Sequence, residues 1–208
     1  MAKKPRRTVK KQAYHHGDLE RALVDTAVRV IQDEGIAALT LRDVGARLGV
    51  SRTALYRHFD GKQALLARVA AEGFKRFHEA LATAVARAEA AGTDPMKAMA
   101  AAYQRFARAN PSHYQTMFSG VLTDGRQDPD LQRHGEAAFN VLLNTIRRGQ
   151  DEGRIRTADP VELAEITWAL SHGIATLGMA NQLTRTPAAL EELAVHGCAV
   201  LQRGMQKK

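Results

Sequence analysis

Leu19, Leu23, Thr26/Ala27, Val30 and Ile31 recur every three or four residues, the period of a helix with one apolar face, and Gly35 is placed to end it. A shorter stripe of Leu41, Val44 and Leu48 follows Thr40, which with Asp43 reads as a helix start. Ser51 opens a third helix in which Leu55 and Phe59 share a face, and Asp60 with Gln63 reads as the start of a long fourth, running to about Glu89. Further along, five of the six prolines follow a residue suited to capping: Asp94-Pro95, Asn110-Pro111, Asp128-Pro129, Asp159-Pro160 and Thr186-Pro187. Proline has no N–H, which costs nothing at the first helical position, and the preceding side chain caps the free amides. Glu162, three residues after Asp159, adds a capping-box spacing. No stretch alternates with period two or carries a hairpin signal. The pattern predicts an all-α chain of about nine helices.

Leu41, Val44 and Leu48 face Leu55 and Phe59 across a tight turn at Gly49. Gly45 allows close approach, and Val50 plugs the space between the two helices. Two short helices so joined form a helix-turn-helix. With Leu55 and Phe59 directed inward, Arg52, Thr53, Tyr56 and Arg57 face outward, and His58 lies at the rim. Arginine and threonine near a helix start suit base edges in a major groove, whereas tyrosine and histidine suit phosphate oxygens. Lys62 and Thr40, each at a helix start, are placed to meet phosphates. Ser51 caps the same short helix.

Charge sharpens this reading. Residues 1–76 hold 16 Lys/Arg against 8 Asp/Glu, and residues 77–208 hold 14 of each, so the whole net charge of +8 lies in the first third. Such segregation favours a polyanionic partner over an evenly solvated basic surface. The lone Cys198 cannot form an intrachain disulfide, which suits a reducing cytoplasm. The opening MAKKPRRTVKKQ is basic with no apolar run behind it, unlike a secretory signal. Residues 166–184 carry no charge, but Ser171, His172, Asn181 and Gln182 suit a helix buried by protein better than one in lipid.

The segment TLRDVGARLGVSRTALYRHFDGKQAL, Thr40 to Leu65, resembles the DNA-binding domain of TetR-family transcriptional regulators, with Leu55, Tyr56, His58, Phe59 and Lys62 as the specific signature. YHHGDLERALVDTA resembles the first helix of one subgroup, and His15-His16 there would accompany the basic arm at DNA. NPSHYQTMF and WALSHGIATL resemble a regulatory domain named for tryptophan, histidine and glycine, here Trp168, His172 and Gly173. One departure is Gly45 for a more usual alanine, which loosens that helix by up to about 1 kcal/mol. The resemblance implies a basic flexible tail (1–13), a helix-turn-helix domain (14–62), and a regulatory and dimerisation domain (63–208) that includes the linking fourth helix. It further implies a homodimer on a near-palindromic double-stranded DNA operator, repression as the default, and release by a small organic effector, with no cofactor.

Within the second domain, Trp168 and His172 share a face, and Tyr114, Met117 and Phe118 lie on the Pro111 helix with His113 beside them. The expectation is an effector pocket lined by His113, Tyr114, Met117, Phe118, Trp168 and His172, with plain core as the alternative for each. The helices from about 160 and 187 are the candidates for a four-helix dimer interface, Gly173 and Gly178 allowing close approach. His196 and Cys198 fall on different helix faces and the other histidines show no metal spacing. No nucleophile elbow, phosphate-binding loop or metalloprotease motif marks an enzyme. A non-specific nucleoid-type binder shares the basic third but has no use for a large neutral domain.

Overall fold

The computed structural model describes residues 16–118, 120–122 and 128–205, so segment 1–13 and His15 lie outside the described residues. Among those residues there are nine helices and no strand: α1 His16–Glu34, α2 Leu41–Leu48, α3 Arg52–Tyr56, α4 Lys62–Ala90, α5 Pro95–Ala109, α6 Pro111–Phe118, α7 Pro129–Asp151, α8 Pro160–Met179 and α9 Pro187–Met205. The five proline-led starts all stand where the sequence puts them.

The caps explain most of these starts. Asp94 accepts from Met96 and Lys97, Asp128 from Leu131, Asp159 from Val161 and Thr186 from Ala189. Asn110 differs: its side-chain amide turns back to the Phe106 carbonyl at 3.1 Å and closes α5 instead of opening α6. Only one residue separates the two helices, so a single side chain serves one end. Asp60 is not the cap of α4 either. Gly61 holds that position, at φ 100° and with no side-chain bond, and Gln63 reaches away to the Val121 carbonyl at 3.0 Å.

The 29-residue α4 is the spine. Its Leu65, Leu66 and Val69 are buried with Leu23, Val30, Val44 and Leu55 of the first three helices. Its Phe77, Leu81 and Val85 are buried with α5 and α7. The apolar cluster runs without a break from Leu23 to Met205, so α4 belongs to both ends of one core. Polar ties reinforce the junction. Arg68 on α4 donates to Glu20 of α1 at 2.7 Å and to Asp130 of α7 at 2.9 Å. Among the described residues no helix is long and apolar enough to cross a membrane.

Candidate nucleic-acid interface and regulatory groove

Thr40 Oγ1 accepts from the Asp43 amide and Ser51 Oγ from the Ala54 amide, which set the starts of α2 and α3. Between them Gly49 turns the chain at φ 65°, a left-handed conformation that a β-carbon disfavours. Leu55 and Phe59 are buried, as their spacing predicts. Gly45 is buried against them: a β-carbon there would stand 2.3 Å from a Leu55 methyl. The glycine that weakens α2 is therefore what lets α3 lie this close.

With that face inward, Ser51, Arg52, Thr53, Tyr56 and Arg57 are exposed, and His58 and Lys62 are half-buried. Tyr56 leaves 51% of its surface in solvent, an unusual exposure for an aromatic ring. Arg52 places its guanidinium 5.5 Å from the centre of that ring, a cation–π distance that holds both side chains ready on one face. Among the described residues Arg42, Arg52, Arg57 and Lys62 form no ion pair, whereas Arg47 is tied to Asp43 and Glu34 and acts as a strut between α1 and α2. Lys62 donates to the Ala37 carbonyl at 3.2 Å, which holds the ammonium beside the α1–α2 loop.

The six expected effector residues divide. On α6, His113 and Met117 form one stripe that packs toward Gly73 of α4. Tyr114 and Phe118 form the neighbouring stripe and face α8. The structure therefore does not bring His113 and Met117 to the groove. His113 lies buried at the α1–α4–α6 junction, and its Nε2 has no partner among the described residues. Burial holds its pKa low, Arg76 adding to this while Glu72 and Asp25 oppose.

Tyr114, Phe118 and His172 line an open groove of about 410 Å³ between α6 and α8. Trp168 lines a separate internal cavity of about 30 Å³, walled by Phe77, Met96, Met99, Phe139 and Leu142. Tyr103 of α5, not singled out from sequence, stands between the two. Its hydroxyl is 3.3 Å from that of Tyr114 and 3.1 Å from His172 Nδ1, and Tyr114 is 2.8 Å from the same nitrogen. A hydroxyl in the otherwise apolar stripe Met96, Met99, Tyr103, Phe106 was the available signal. No group of three or more metal-ligating side chains occurs among the described residues.

Two family models match this chain: "Bacterial regulatory proteins, tetR family" over residues 23–69, and "Tetracyclin repressor-like, C-terminal domain" over residues 96–201. An uncharacterized HTH-type transcriptional regulator of Bacillus subtilis, YobS, is 30% identical over 99 residues, which is 48% of this chain and 51% of that protein. The match thus spans about half the length of that relative. Regulator Rv1816 of Mycobacterium tuberculosis is 26% identical over 151 residues, 69% of this chain and 62% of that protein. Among solved structures, a protein of unknown function from Rhodococcus sp. RHA1 superposes with a TM-score of 0.80 at 30% identity, covering 95% of this chain and 100% of that one. The helix-turn-helix falls within the first matched segment and the second covers nearly all of α5–α9, and the chain belongs to the TetR family of DNA-binding transcriptional regulators.

Proposed function

We propose that the protein is a repressor that binds a near-palindromic operator as a homodimer in the cytoplasm and is released by a small organic effector. Residues 14–62 form the reading head and residues 63–208 the regulatory and dimerisation part. Arg52 and Thr53 read base edges. Thr40, Ser51, Tyr56, Arg57, His58 and Lys62 position the head on phosphates. The observation that carries the DNA reading is the exposed Arg52–Tyr56 pair on a helix whose arginines lack acidic partners among the described residues.

Dimerisation is supported by Ile166 and Leu177 on α8 and Val200 on α9, large apolar side chains left 44%, 41% and 47% exposed. Gly173, between the first two on the same face, has nothing within 4 Å of where a β-carbon would stand. Two heads so paired would meet major grooves roughly 34–36 Å apart. The order Trp168, His172, Gly173 supports the tryptophan-histidine-glycine subclass, and the α6–α8 groove supports an effector.

Selection of bound fragments from random DNA, followed by salt-titrated binding to the selected and to random duplexes, tests this reading. A preference of roughly 10³ or more for a two-fold symmetric site is expected. Equal affinity for all duplexes would instead point to the nucleoid-type alternative.

A further inference from the structure

The groove between α6 and α8 has a floor whose proton positions follow from its geometry. Burial raises the pKa of Tyr103, with the adjoining Tyr114 phenol adding to the rise, and burial does the same to Tyr114. Both therefore remain O–H donors. Burial lowers the pKa of His172, so its ring is neutral, with one acceptor nitrogen and one N–H. Two phenolic protons need acceptors, and among the described residues the groups within hydrogen-bond distance are each other's hydroxyls and His172 Nδ1, the Thr176 hydroxyl bearing more weakly on Tyr114. If Nδ1 carried the ring proton, one phenolic proton would lack an acceptor in this cluster. With Nδ1 accepting, both are satisfied: Tyr114 donates to Nδ1 at 2.8 Å and Tyr103 to Tyr114 at 3.3 Å. The hydrogen-bond network thus assigns the ring proton to Nε2.

Among the described residues His172 Nε2 has only a long contact, 3.4 Å to Thr176 Oγ1, and both residues line the groove. Its walls include Pro111, Phe118, Met179 and Ala180, and among the described residues no lining side chain is ionised. The volume of about 410 Å³ suits a drug-sized molecule. We propose that this groove takes an uncharged, mainly apolar molecule carrying a carbonyl or ether oxygen, which accepts the His172 Nε2–H. The assignment rests on reading this domain as effector-binding. A carboxylate would shed hydration with no cation among the described lining residues to replace it.

Phe118 lies with its ring centre 4.8 Å from His172 and 6.3 Å from Trp168, the single tryptophan of the chain, so Trp168 emission reports on the groove. Butyl phenyl ketone, pentylbenzene and 5-phenylpentanoate, titrated into the full-length protein by calorimetry and Trp168 fluorescence, share one apolar body and differ in the polar group. The ketone is expected to bind about three- to tenfold tighter than pentylbenzene, the yield of one neutral hydrogen bond, with the carboxylate weakest. His172→Phe should remove the ketone's advantage and keep hydrocarbon binding. His172→Gln, which keeps an N–H there, should retain part of it. Tightest binding by the carboxylate, or equal binding of ketone and hydrocarbon, overturns the assigned class while leaving an effector-binding domain standing. No saturable response from any of the three overturns both. If His172→Phe fails to fold, the wild-type ranking alone decides.

Discussion

Arg52 and Tyr56, one helical turn apart on α3, meet as cation over ring at 5.5 Å, on the side of the helix away from Leu55 and Phe59. The contact leaves the tyrosine hydroxyl and the guanidinium edges outward. Two kinds of readout then separate. Tyr56→Phe keeps the ring and removes the hydroxyl, so binding should weaken alike on selected and random duplexes. Arg52→Ala should relax preference at particular base pairs by about 1–3 kcal/mol, seen as a changed motif in repeated selection. Equal losses on every duplex from the Arg52 change would remove its base-reading role.

Lys62→Ala should lower the slope of log affinity against log salt by about one unit, the expected loss for one phosphate contact. The same change removes the 3.2 Å bond to the Ala37 carbonyl, an exposed interaction, so unfolding in urea should shift by no more than about 1 kcal/mol. An unchanged salt slope would place Lys62 away from the backbone.

Leu177→Glu places a charge on the outer face of α8 without touching the monomer core, where Leu177 is 41% exposed. Sedimentation should show a dimer becoming a monomer, and operator affinity should fall by at least about 100-fold as two-headed binding is lost. Circular dichroism should be unchanged, because surface substitutions shift stability by only about 0.5 kcal/mol. A dimer that survives this change would move the interface elsewhere.

Burial at the α1–α4–α6 junction lowers the pKa of His113, and burial lowers that of His172 as well. The unfolded chain binds protons at these histidines near the usual value of about 6.5, while the folded chain binds them only at lower pH. Between those points the unfolded state holds more protons, so stability falls as pH falls. Urea midpoints should therefore decrease from pH 7.5 to 5.5. His113→Leu, which also removes the unpartnered Nε2, should flatten that slope and be neutral to stabilising at pH 7.5. A slope identical to wild type would mean that His113 titrates alike in both states.

Replacing Gly49 by alanine should cost about 1–2 kcal/mol, the usual penalty for a β-carbon in the left-handed region. There is open space around this glycine, so crowding adds nothing and the backbone at φ 65° is the whole cause. Thermal unfolding of the single variant measures it, and a neutral result would mean that the turn relaxes.

Starts and faces of helices were legible because both depend on residues close in sequence. A proline with a capping side chain before it acts within one turn, and Leu55, with Phe59 one turn further on and just past the end of α3, states which side is inside wherever the helix packs. The Asp60 start failed for the same local reason: glycine at 61 takes a backbone that aspartate at 60 was expected to prepare, and only the contact from Gln63 to Val121, 58 residues away, fixes the side chain that follows.

The groove between α6 and α8 shows the other limit. His113 and Tyr114 are neighbours on one helix and look equally suited to a pocket, yet a rotation of about 100° per residue sends one to Gly73 on α4 and the other to His172 on α8. Spacing states that they diverge; it does not state what each meets. The placement of Tyr103 beside them, 11 and 69 residues away from its two partners, comes from helix packing alone. From its residues alone this chain determined its helices, their inner faces and its basic head, because period, caps and charge are properties of neighbours along the chain. Which polar groups share a buried site was decided by the tertiary structure, because that depends on how side chains distant in sequence fill the space between helices.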